Sequence, residues 1–213
     1  MMNTGTIRND RSCGQAVDNR RTRVNLSEYR RKRHFAATPE PSGGAGSGRG
    51  TGRTAAARLH YVIHKHHART LHFDFRLEWR GVLLSWAVPK GPPAVPGTRR
   101  LAVRVEDHPL EYRTFEGRIP EGEYGAGTVV VWDEGFWTPD DPNVAAALRR
   151  GELRFTLDGR RLHGQWVLVR TGLGGGRSGQ SWLLIKRRET AASATNPRPA
   201  SPRRRAKAPS ARA

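Results

Sequence analysis

Hydrophobic and polar residues alternate along most of the middle of the chain. In the segment Leu71–Glu78, leucine or phenylalanine occupies every second position, and His72, Asp74 and Arg76 lie between them. A period of two is typical of a β-strand, so this segment is predicted to be a strand that carries the polar trio on one face. Similar short runs predict further strands at His60–Ile63, Val82–Val88, Leu101–Glu106, Thr128–Trp132, Leu153–Leu157, Gln165–Arg170 and Trp182–Arg187.

Turn signals separate these predicted strands, and helical patterns are rare. Trp79–Gly81 and Asp158–Arg160 have the composition of tight reversals between strands. Asn143–Arg150 predicts one short helix, and a second is predicted to start at Ser27, with Pro39 marking its end. Strands at this density predict an all-β domain, either a closed barrel of about eight strands or a sandwich.

Composition divides the chain into one folded domain and two arms. The predicted strands fall within 59–189, a length that is usual for a single hydrophobic core. Residues 41–53 are rich in glycine and serine, and 190–213 mixes proline, alanine and arginine. We therefore expect a disordered basic arm over 1–25, an arm motif with a glycine-rich linker over 26–58, and a disordered basic tail at the C-terminal end.

The charge is strongly positive and is concentrated in the arms. The 38 lysines and arginines exceed the 19 acidic residues and give a net charge of +19. Residues 1–58 hold 12 basic and 4 acidic side chains, residues 190–213 hold 6 and none, and the remaining core holds 20 and 15. This distribution favours a polyanionic partner, above all nucleic acid, with the arms supplying affinity for phosphate. The alternative is that the arms are solubilising linkers.

Several classes of protein are excluded by what the sequence lacks. No apolar run is long enough to span a membrane, and the N-terminus lacks the apolar core of a signal peptide. Cys13 is the single cysteine, so neither a disulfide framework nor a cysteine-based zinc site is expected. We expect a soluble, intracellular protein.

The polar trio of the first predicted strand has the chemistry of a metal and anion site. Alternate strand residues lie roughly 6.6 Å apart, so His72 and Asp74 can bind one divalent ion while Arg76 contacts a phosphate oxygen. Imidazole with carboxylate suits zinc, manganese or iron. His66 is the candidate third ligand, because the chain can turn after it and return it to the same centre. The other two histidines of this segment are interpreted as supporting or surface residues, His64 and His67.

The alternative for this segment is an ordinary half-solvated sheet with one polar face. Lysine, threonine or glutamate would serve equally well in such a face. Histidine together with aspartate and arginine is harder to explain by solubility, and we favour the functional interpretation.

A second polar group follows in RLAVRVEDHPLEY. Arg100, Glu106 and His108 are expected to project from the same side near the strand ends. A histidine there, with Tyr112 shortly after it, suits a general acid or a phosphate clamp, and a surface-loop histidine is the alternative. Lys90, in the turn of WAVPKGPP, can bring an ammonium to a phosphate or is a solvated turn lysine.

Long motifs in the chain resemble the 3′-phosphoesterase domain of bacterial DNA ligase D and its free-standing relatives. The resemblance covers Leu26–Arg188 and is carried by YRRKRHFAATPEP, HFDFRLE, SWAVPKGP, RLAVRVEDHPLEY, FEGRIPEGEYGAGTVVVWDEG, RLHGQWVLVR and WLLIK. It implies a compact closed β-barrel that binds manganese, with zinc or cobalt as alternatives. It also implies a monomer of the bacterial cytoplasm and nucleoid that acts on DNA 3′ ends or primer-templates, with a DNA ligase or a Ku-type end-joining protein as partner.

The resemblance also implies roles for individual residues. It implies metal ligation by His66, His72 and Asp74, and contact with phosphate by Arg76 and His108. The further active-site positions that it implies are Lys90, Arg100, Glu106, Tyr112, Arg33 and Glu40.

Two residues depart from the pattern of this family. His34 stands where the family commonly has aspartate, and His64 stands where it commonly has glutamine. Each puts a group that can be cationic in place of an acidic or neutral one. Since the metal trio is intact, we expect an active enzyme. If residue 34 supports the second of two hydrolytic steps, removal of a 3′-phosphate should lag behind removal of a 3′-ribonucleoside. The alternative is that His34 only caps the predicted helix or faces solvent.

The function that follows is metal-dependent hydrolysis of phosphoesters at DNA 3′ ends. Removal of a terminal ribonucleoside would leave a 3′-phosphate, and a second hydrolysis would leave the 3′-hydroxyl that polymerases and ligases require. Arg76 and Lys90 are expected to neutralise growing charge, and His108 to contact phosphate or protonate the leaving oxygen. The alternatives are a non-catalytic module that binds DNA ends for a separate repair enzyme, and a zinc-dependent RNA-processing hydrolase.

Overall fold

The structure is a computed structural model that describes residues 25–44, 58–172 and 180–188. Its strands are β1 (Leu59–His67), β2 (Leu71–Trp79), β3 (Val82–Val88), β4 (Arg99–Arg104), β5 (His108–Pro109), β6 (Gly117–Ile119), β7 (Gly127–Pro139), β8 (Glu152–Gly159), β9 (His163–Arg170) and β10 (Ser181–Lys186). The described helices are α1 (Ser27–Arg31), α2 (Val144–Arg150) and a 3-10 helix (Leu110–Thr114).

Eight antiparallel strands close into a barrel. The hydrogen-bonded order is β1-β2-β3-β4-β10-β9-β8-β7, and β7 pairs back onto β1. Closure of this kind leaves no unpaired strand edge in the barrel wall. The two shortest strands lie outside the ring, with β5 paired to β3 and β6 paired to β7. The predicted all-β closed barrel is therefore confirmed.

Aromatic side chains fill the interior of the barrel. Phe75 of β2 lies 6.3 Å from Trp86 and 5.8 Å from Phe155, measured between ring centroids. Trp137 meets Phe155 edge to face at 6.1 Å. Burying a large apolar side chain of this kind stabilises the fold by roughly 1.5–3 kcal/mol. Because Phe75 points inward, the alternate residues of β2 point to the outer face of the barrel wall.

Strand β1 is longer than the sequence predicted. The prediction ended the strand at Ile63 and treated residues 66–70 as turn-like, whereas β1 continues to His67 and the turn is confined to residues 68–70. The strand continues because its second half pairs with β2 on one side and with β7 on the other. The pairing with β7 contains a bulge between Ile63 and His64, where Trp132 is the extra residue.

The other differences concern short elements and boundaries, of which the largest is that of β7, predicted over Thr128–Trp132 but extending from Gly127 to Pro139. Strand β4 starts and ends two residues earlier than predicted. Strands β5 and β6 were not predicted, because strands of two or three residues are too short to show an alternating pattern. Helix α1 starts at Ser27 as predicted but ends at Arg31, well before Pro39. It stops there because residues 34–38 form a separate turn, in which the His34 carbonyl accepts hydrogen bonds from two amides.

Two local predictions are confirmed by the backbone. Arg80 and Gly81 both have positive φ, 48° and 83°, as a tight two-residue hairpin between β2 and β3 requires. Helix α2 is capped by the Asn143 side chain, which accepts a hydrogen bond from the Ala146 amide at 3.0 Å.

The segment 25–44 packs against the barrel, and we call it the arm. Tyr29 of α1 is fully buried, and its hydroxyl donates to the Pro41 carbonyl at 2.6 Å. Nearly all of the residues that were predicted to be disordered, namely 1–25, most of the glycine-rich linker and 190–213, lie outside the described ranges. Within those ranges, no helix combines the length and the apolar character needed to cross a membrane.

Candidate metal and phosphate site

The polar residues of β1 and β2 lie together on the outer face of the barrel wall. The strand register places His66 opposite His72 and His64 opposite Asp74. This face is covered rather than solvated: Asp74 is 6% exposed and Arg76 is 2% exposed. The half-solvated sheet that the sequence left as an alternative is therefore wrong for this part of β2.

Three of these side chains converge as a metal-binding group. The potential ligand atoms of His66, His72 and Asp74 all lie within 4.8 Å of one another. The His66 Nδ1 and the Asp74 Oδ2 are 3.6 Å apart, and the His72 Nε2 is 3.6 Å from Oδ1 of the same carboxylate. The residues that the sequence nominated as metal ligands are thus brought to one place.

The hydrogen bonds of the two imidazoles fix which nitrogen faces Asp74. The His66 Nε2 lies 2.9 Å from the Gly125 carbonyl, and the His72 Nδ1 lies 2.9 Å from the Thr70 carbonyl. A carbonyl can only accept, so these nitrogens carry the protons when the rings are neutral. The nitrogens that face the carboxylate then present lone pairs.

The donor set therefore fits a divalent cation. With both rings neutral, two imidazole lone pairs and a carboxylate point at one another with no proton between them, an arrangement that an added cation would stabilise. Two nitrogens and one oxygen suit manganese, zinc or iron. Histidine ligands that donate their second N–H to a carbonyl are typical of metal sites, because this bond fixes the ring orientation.

Arg76 keeps Asp74 ionised. The Arg76 Nη2 donates to the Asp74 Oδ2 at 3.2 Å. Burial alone would raise the pKa of Asp74, but the Arg76 guanidinium outweighs this effect and holds the pKa well below its usual range, and either imidazole lowers it further when protonated. The carboxylate is therefore charged at every pH at which the protein would be assayed.

The Arg76 guanidinium is itself fixed on several sides. Its Nη1 donates to the Ser85 hydroxyl at 2.8 Å, and its Nε donates to the His64 Nδ1 at 3.4 Å. The guanidinium also lies 4.8 Å from the centre of the Tyr112 ring. Three of its five N–H groups are thus directed at protein acceptors.

His64 is buried beside this arginine, as a supporting residue rather than a surface one. It is 0% exposed, and its Nε2 is buried without a hydrogen-bond partner among the described residues. Burial, together with the charge of Arg76, lowers the pKa of His64 to about 3. The departure from glutamine therefore introduces a neutral ring here, not the cation that the sequence suggested.

His108 lies under the arm, and the surface-loop alternative for it is wrong. It is 3% exposed. Arg33 Nη2 lies 3.2 Å from its Nε2, and because arginine can only donate, the proton is on Nδ1, which is 2.9 Å from the Glu106 carbonyl. Burial, then the charges of Arg76 and Arg33, lower the pKa of His108 well below its usual value.

The arm is attached to the barrel by a buried group of charges. Arg33 Nε donates to the Glu40 carboxylate at 2.8 Å, and its Nη1 donates to Glu106 at 3.2 Å. Lys32 pairs with the other oxygen of Glu106 at 2.9 Å. Burial would raise the pKa of Glu106, but Lys32 and Arg33 outweigh it and lower the pKa. Two arm residues that the resemblance pointed to, Arg33 and Glu40, thus reach His108 through one network.

Two predicted residues lie apart from this network. Lys90 is exposed in the turn after β3, and Arg100 is half-buried near the start of β4. Alternation along β4 puts Arg100 on the face of Ala102, opposite to the face that carries Asp74 on β2. Antiparallel pairing nevertheless puts both cations at the same end of the barrel as His72, since β3 ends and β4 begins beside the start of β2.

The trio opens toward this end of the barrel. The His72 side chain is 22% exposed, whereas those of His66 and Asp74 are each 8% exposed. A phosphate that reaches the trio from solvent would therefore arrive on the side of His72.

Sequence reasoning missed three residues that hold the site together. Ser85 accepts from Arg76 and lies 3.4 Å from the His108 Nδ1, so it links the two halves. Gly125 orients His66, and Lys32 holds Glu106. Ser85 could have been recognised in the sequence, because it is the polar residue of an otherwise apolar strand. The Gly125 carbonyl could not, because a backbone group has no sequence signature.

The chain belongs to the family of the DNA ligase D 3′-phosphoesterase domain. The family model for this domain matches residues 64–170, half of the chain. The match includes the three candidate metal ligands, Arg76 and His108. The barrel and the buried polar face described above are thus features of a member of this family.

Several larger proteins are similar to this chain. The multifunctional non-homologous end joining protein LigD of Pseudomonas aeruginosa is 53% identical over 165 residues, which cover 77% of this chain and 19% of that protein. The multifunctional non-homologous end joining DNA repair protein LigD of Mycobacterium tuberculosis is 46% identical over 162 residues. The multifunctional non-homologous end joining protein LigD of Mycolicibacterium smegmatis is 40% identical over 169 residues. The chain spans 19 to 21% of the length of these relatives.

Proposed function

We propose that the protein is a metal-dependent phosphoesterase that processes the 3′ ends of DNA during break repair. The proposed reaction removes a 3′-terminal ribonucleoside or a 3′-phosphate and leaves a 3′-hydroxyl. The observation that carries the proposal is the convergence of two imidazole lone pairs and a charged carboxylate at one point of a basic protein. Membership of the family and the names of the relatives support the choice of DNA ends as substrate.

His66, His72 and Asp74 would hold the metal. A divalent ion bound there supplies Lewis-acid polarisation of a phosphate oxygen. Manganese is the proposed ion, and zinc and cobalt suit the same nitrogen and oxygen donors. His72 is the ligand at the solvent side, so the phosphate is proposed to approach past its ring.

The cations around the trio would bind the phosphate and offset the charge that grows during hydrolysis. Arg76 holds the Asp74 carboxylate in place and offers its two remaining N–H groups to an oxygen. Lys90 and Arg100 are proposed to contact the substrate from the open end of the barrel. Fixed donors of this kind stabilise a transition state more than water does, because they do not have to reorganise.

His108 is proposed to act by positioning Arg33 and not as the acid that protonates the leaving oxygen. Its Nδ1 proton is directed at the Glu106 carbonyl and its Nε2 accepts from Arg33. A neutral imidazole bonded in this way has no proton to give. Arg33, Glu40 and Glu106 would then hold the arm over the site. The Tyr112 ring, which contacts the His108 ring edge to face, would support His108.

The alternative of a non-catalytic module that binds DNA ends is distinguished by one experiment. A labelled primer-template with a single 3′-ribonucleotide is incubated with the full chain, first treated with chelator and then supplied with Mn²⁺, Zn²⁺ or Co²⁺. We expect a product shorter by one nucleoside in the presence of metal and none in its absence. Binding of the primer-template without a change in product length would favour the module.

Partners and location belong to the same proposal. A DNA ligase or a Ku-type end-joining protein is the proposed partner, since the relatives are named for non-homologous end joining. The bacterial cytoplasm and nucleoid are the compartments in which such substrates occur. The basic segments 1–25 and 190–213 are proposed to add affinity for phosphate that does not depend on sequence.

A further inference from the structure

The loop between β6 and β7 connects the arm to one of the candidate metal ligands. This loop, residues 120–126 with the sequence PEGEYGA, is called the glycine loop below. At one end of it, the Gly125 carbonyl accepts the hydrogen bond from the His66 Nε2 at 2.9 Å. That bond leaves Nδ1 as the nitrogen that faces Asp74. The position of one carbonyl therefore decides how His66 is presented.

The backbone of the glycine loop is tightly specified. Two consecutive turns shape it, with the Glu123 amide bonded to the Pro120 carbonyl and the Ala126 amide bonded to the Glu123 carbonyl. Gly125 has a φ of 81°, a conformation that residues with a side chain rarely adopt. The Gly125 carbonyl is thus aimed by a backbone conformation that depends on glycine.

The two residues before Gly125 are held by the arm. The Tyr124 ring lies 4.8 Å from the Lys32 Nζ and 5.5 Å from the Arg33 guanidinium, measured to the ring centre. The Lys32 Nζ also lies 3.4 Å from the Tyr124 hydroxyl. Glu123 adds an outer contact, 3.3 Å from the His34 Nδ1.

We propose that the glycine loop is a positioning element that transmits the docking of the arm to His66 and so sets the affinity of the site for its metal. The inference rests on the proposed function, because it takes the trio to be a metal site. The same arm residues meet the site from two directions. Arg33 reaches Glu106 and His108, while Lys32 and Tyr124 steady the carbonyl that orients His66.

The direct test replaces Gly125 and compares it with a matched glycine. Gly125→Ala strains the backbone at φ 81°, although the added methyl would have ordinary van der Waals contacts with His66 and Ile119. Gly97→Ala is the control, because its φ is 86° and nothing lies within 4 Å of an added methyl. Both variants carry the same kind of strain, and Gly125 alone of the two touches a candidate ligand.

The measurement is the binding of Mn²⁺ by calorimetry to the full chain without DNA, with the Co²⁺ absorption spectrum as a second readout. We expect Gly125→Ala to weaken Mn²⁺ binding by roughly 10-fold, in the range found for partners that orient metal ligands, and to change the Co²⁺ spectrum. Gly97→Ala should match the wild type in both. Equal Mn²⁺ affinity for Gly125→Ala and the wild type would overturn the inference.

A second pair of variants tests the contribution of the arm. Tyr124→Ala removes the ring that contacts Lys32 and Arg33 and keeps the glycine at position 125. Glu121→Ala is its control, since the Glu121 side chain is 88% exposed and pairs with Arg118, which lies outside the arm. We expect Tyr124→Ala to weaken Mn²⁺ binding by about 3-fold or more, less than the direct partner does, and Glu121→Ala to leave it unchanged.

The outcomes separate the inference from the proposed function. If the wild type binds Mn²⁺ and either Gly125→Ala or Tyr124→Ala binds it as well as the wild type does, the inference fails and the proposed function stands. If the wild type binds neither Mn²⁺ nor Co²⁺, the proposed function fails and takes the inference with it. If Gly125→Ala does not fold, Tyr124→Ala decides the matter alone.

Discussion

Two buried aspartates, Asp133 and Asp74, have opposite kinds of surroundings. Asp133 in β7 is 2% exposed and accepts three hydrogen bonds from neutral donors, namely the Tyr61 hydroxyl at 2.6 Å, the Arg161 amide at 2.9 Å and the Leu162 amide at 3.0 Å. Asp74 in β2 accepts from Arg76, and its other neighbours are imidazole nitrogens that present lone pairs.

The difference shows how a structural carboxylate can be told from a functional one. The donors to Asp133 are fixed when the barrel closes, and they join β1, β7 and the turn after β8 around one side chain. Such a carboxylate needs nothing from outside the protein. The neutral imidazoles beside Asp74 turn lone pairs toward its carboxylate, so the electrostatic potential between these three side chains is negative. A ligand of positive charge completes this second group, which is why we propose a metal there.

The largest expected effect separates the two aspartates directly. Asp74→Asn should abolish Mn²⁺ binding and hydrolysis, because it removes the charged ligand. Asp133→Asn should retain both in the folded fraction but lose about 1–3 kcal/mol in the free energy of unfolding, because an amide N–H₂ replaces an acceptor that faces donors. Calorimetric Mn²⁺ titration and urea unfolding of both variants provide the measurements.

Either of two results would contradict this distinction between Asp74 and Asp133. Loss of Mn²⁺ affinity in fully folded Asp133→Asn would show that the β7 carboxylate contributes to the site. Retention of wild-type hydrolysis in Asp74→Asn would show that the trio does not supply the chemistry.

The second effect concerns the histidines at the β1–β2 hairpin. His72→Ala should leave the barrel folded, since the apolar face of β2 is untouched, and should abolish hydrolysis together with metal binding. His67→Ala is the matched control, because His67 is exposed on the same hairpin. Metal binding by the wild type should also fade at acid pH, since histidine ligates only when neutral. Activity of the wild type in chelator without added metal would contradict this interpretation.

The third effect is on stability as a function of pH and concerns His108, a buried group that is satisfied while neutral. Its pKa is lowered well below the usual value of 6.5, so the unfolded chain takes up a proton that the folded protein does not. The stability that this histidine contributes is therefore present above pH 6.5 and is lost as the pH falls below it. The slope should reach about 1.4 kcal/mol per pH unit for one proton.

Unfolding by urea at several pH values measures this slope. In His108→Gln the slope between pH 6.5 and pH 5 should be smaller by about one proton than in the wild type. His163→Gln, which changes an exposed histidine of β9, should keep the wild-type slope. An unchanged slope in His108→Gln would mean that His108 is protonated in the folded protein.

The position of Asp74 could be predicted from the sequence, whereas the role of Asp133 depends on tertiary contacts. The period of two in β2 placed His72, Asp74 and Arg76 on one face, because alternation is a local property of a strand. Asp133 could not be recognised as structural, since its donors come from β1 and from the turn after β8. These contacts exist only after the barrel closes.

In the candidate site, too, the sequence predicted which residues take part but not the contacts that they make. The motifs pointed to Arg33 and Glu40, but the route from the arm to His108 follows from docking and has no signature in the spacing. The sequence also suggested that His64 adds a positive charge, whereas burial keeps it neutral.

The smallest expected effect concerns His34, the other departure from the family pattern. Its side chain is 84% exposed and contacts Glu123 at the protein surface, whereas the adjacent Arg33 is held by Glu40 and Glu106. An exposed pair of this kind contributes about 0–1 kcal/mol. His34→Asp should therefore change the rates of the two proposed hydrolytic steps by less than about 3-fold, and the expectation from sequence that this departure weakens the second step should not hold.

Separate timing of ribonucleoside removal and 3′-phosphate removal on one primer-template measures both rates. If the wild type accumulates the 3′-phosphate product and His34→Asp relieves the accumulation, the residue at this position acts on the second step in spite of its exposure, and the arm then contributes to the chemistry through its surface as well as through Arg33.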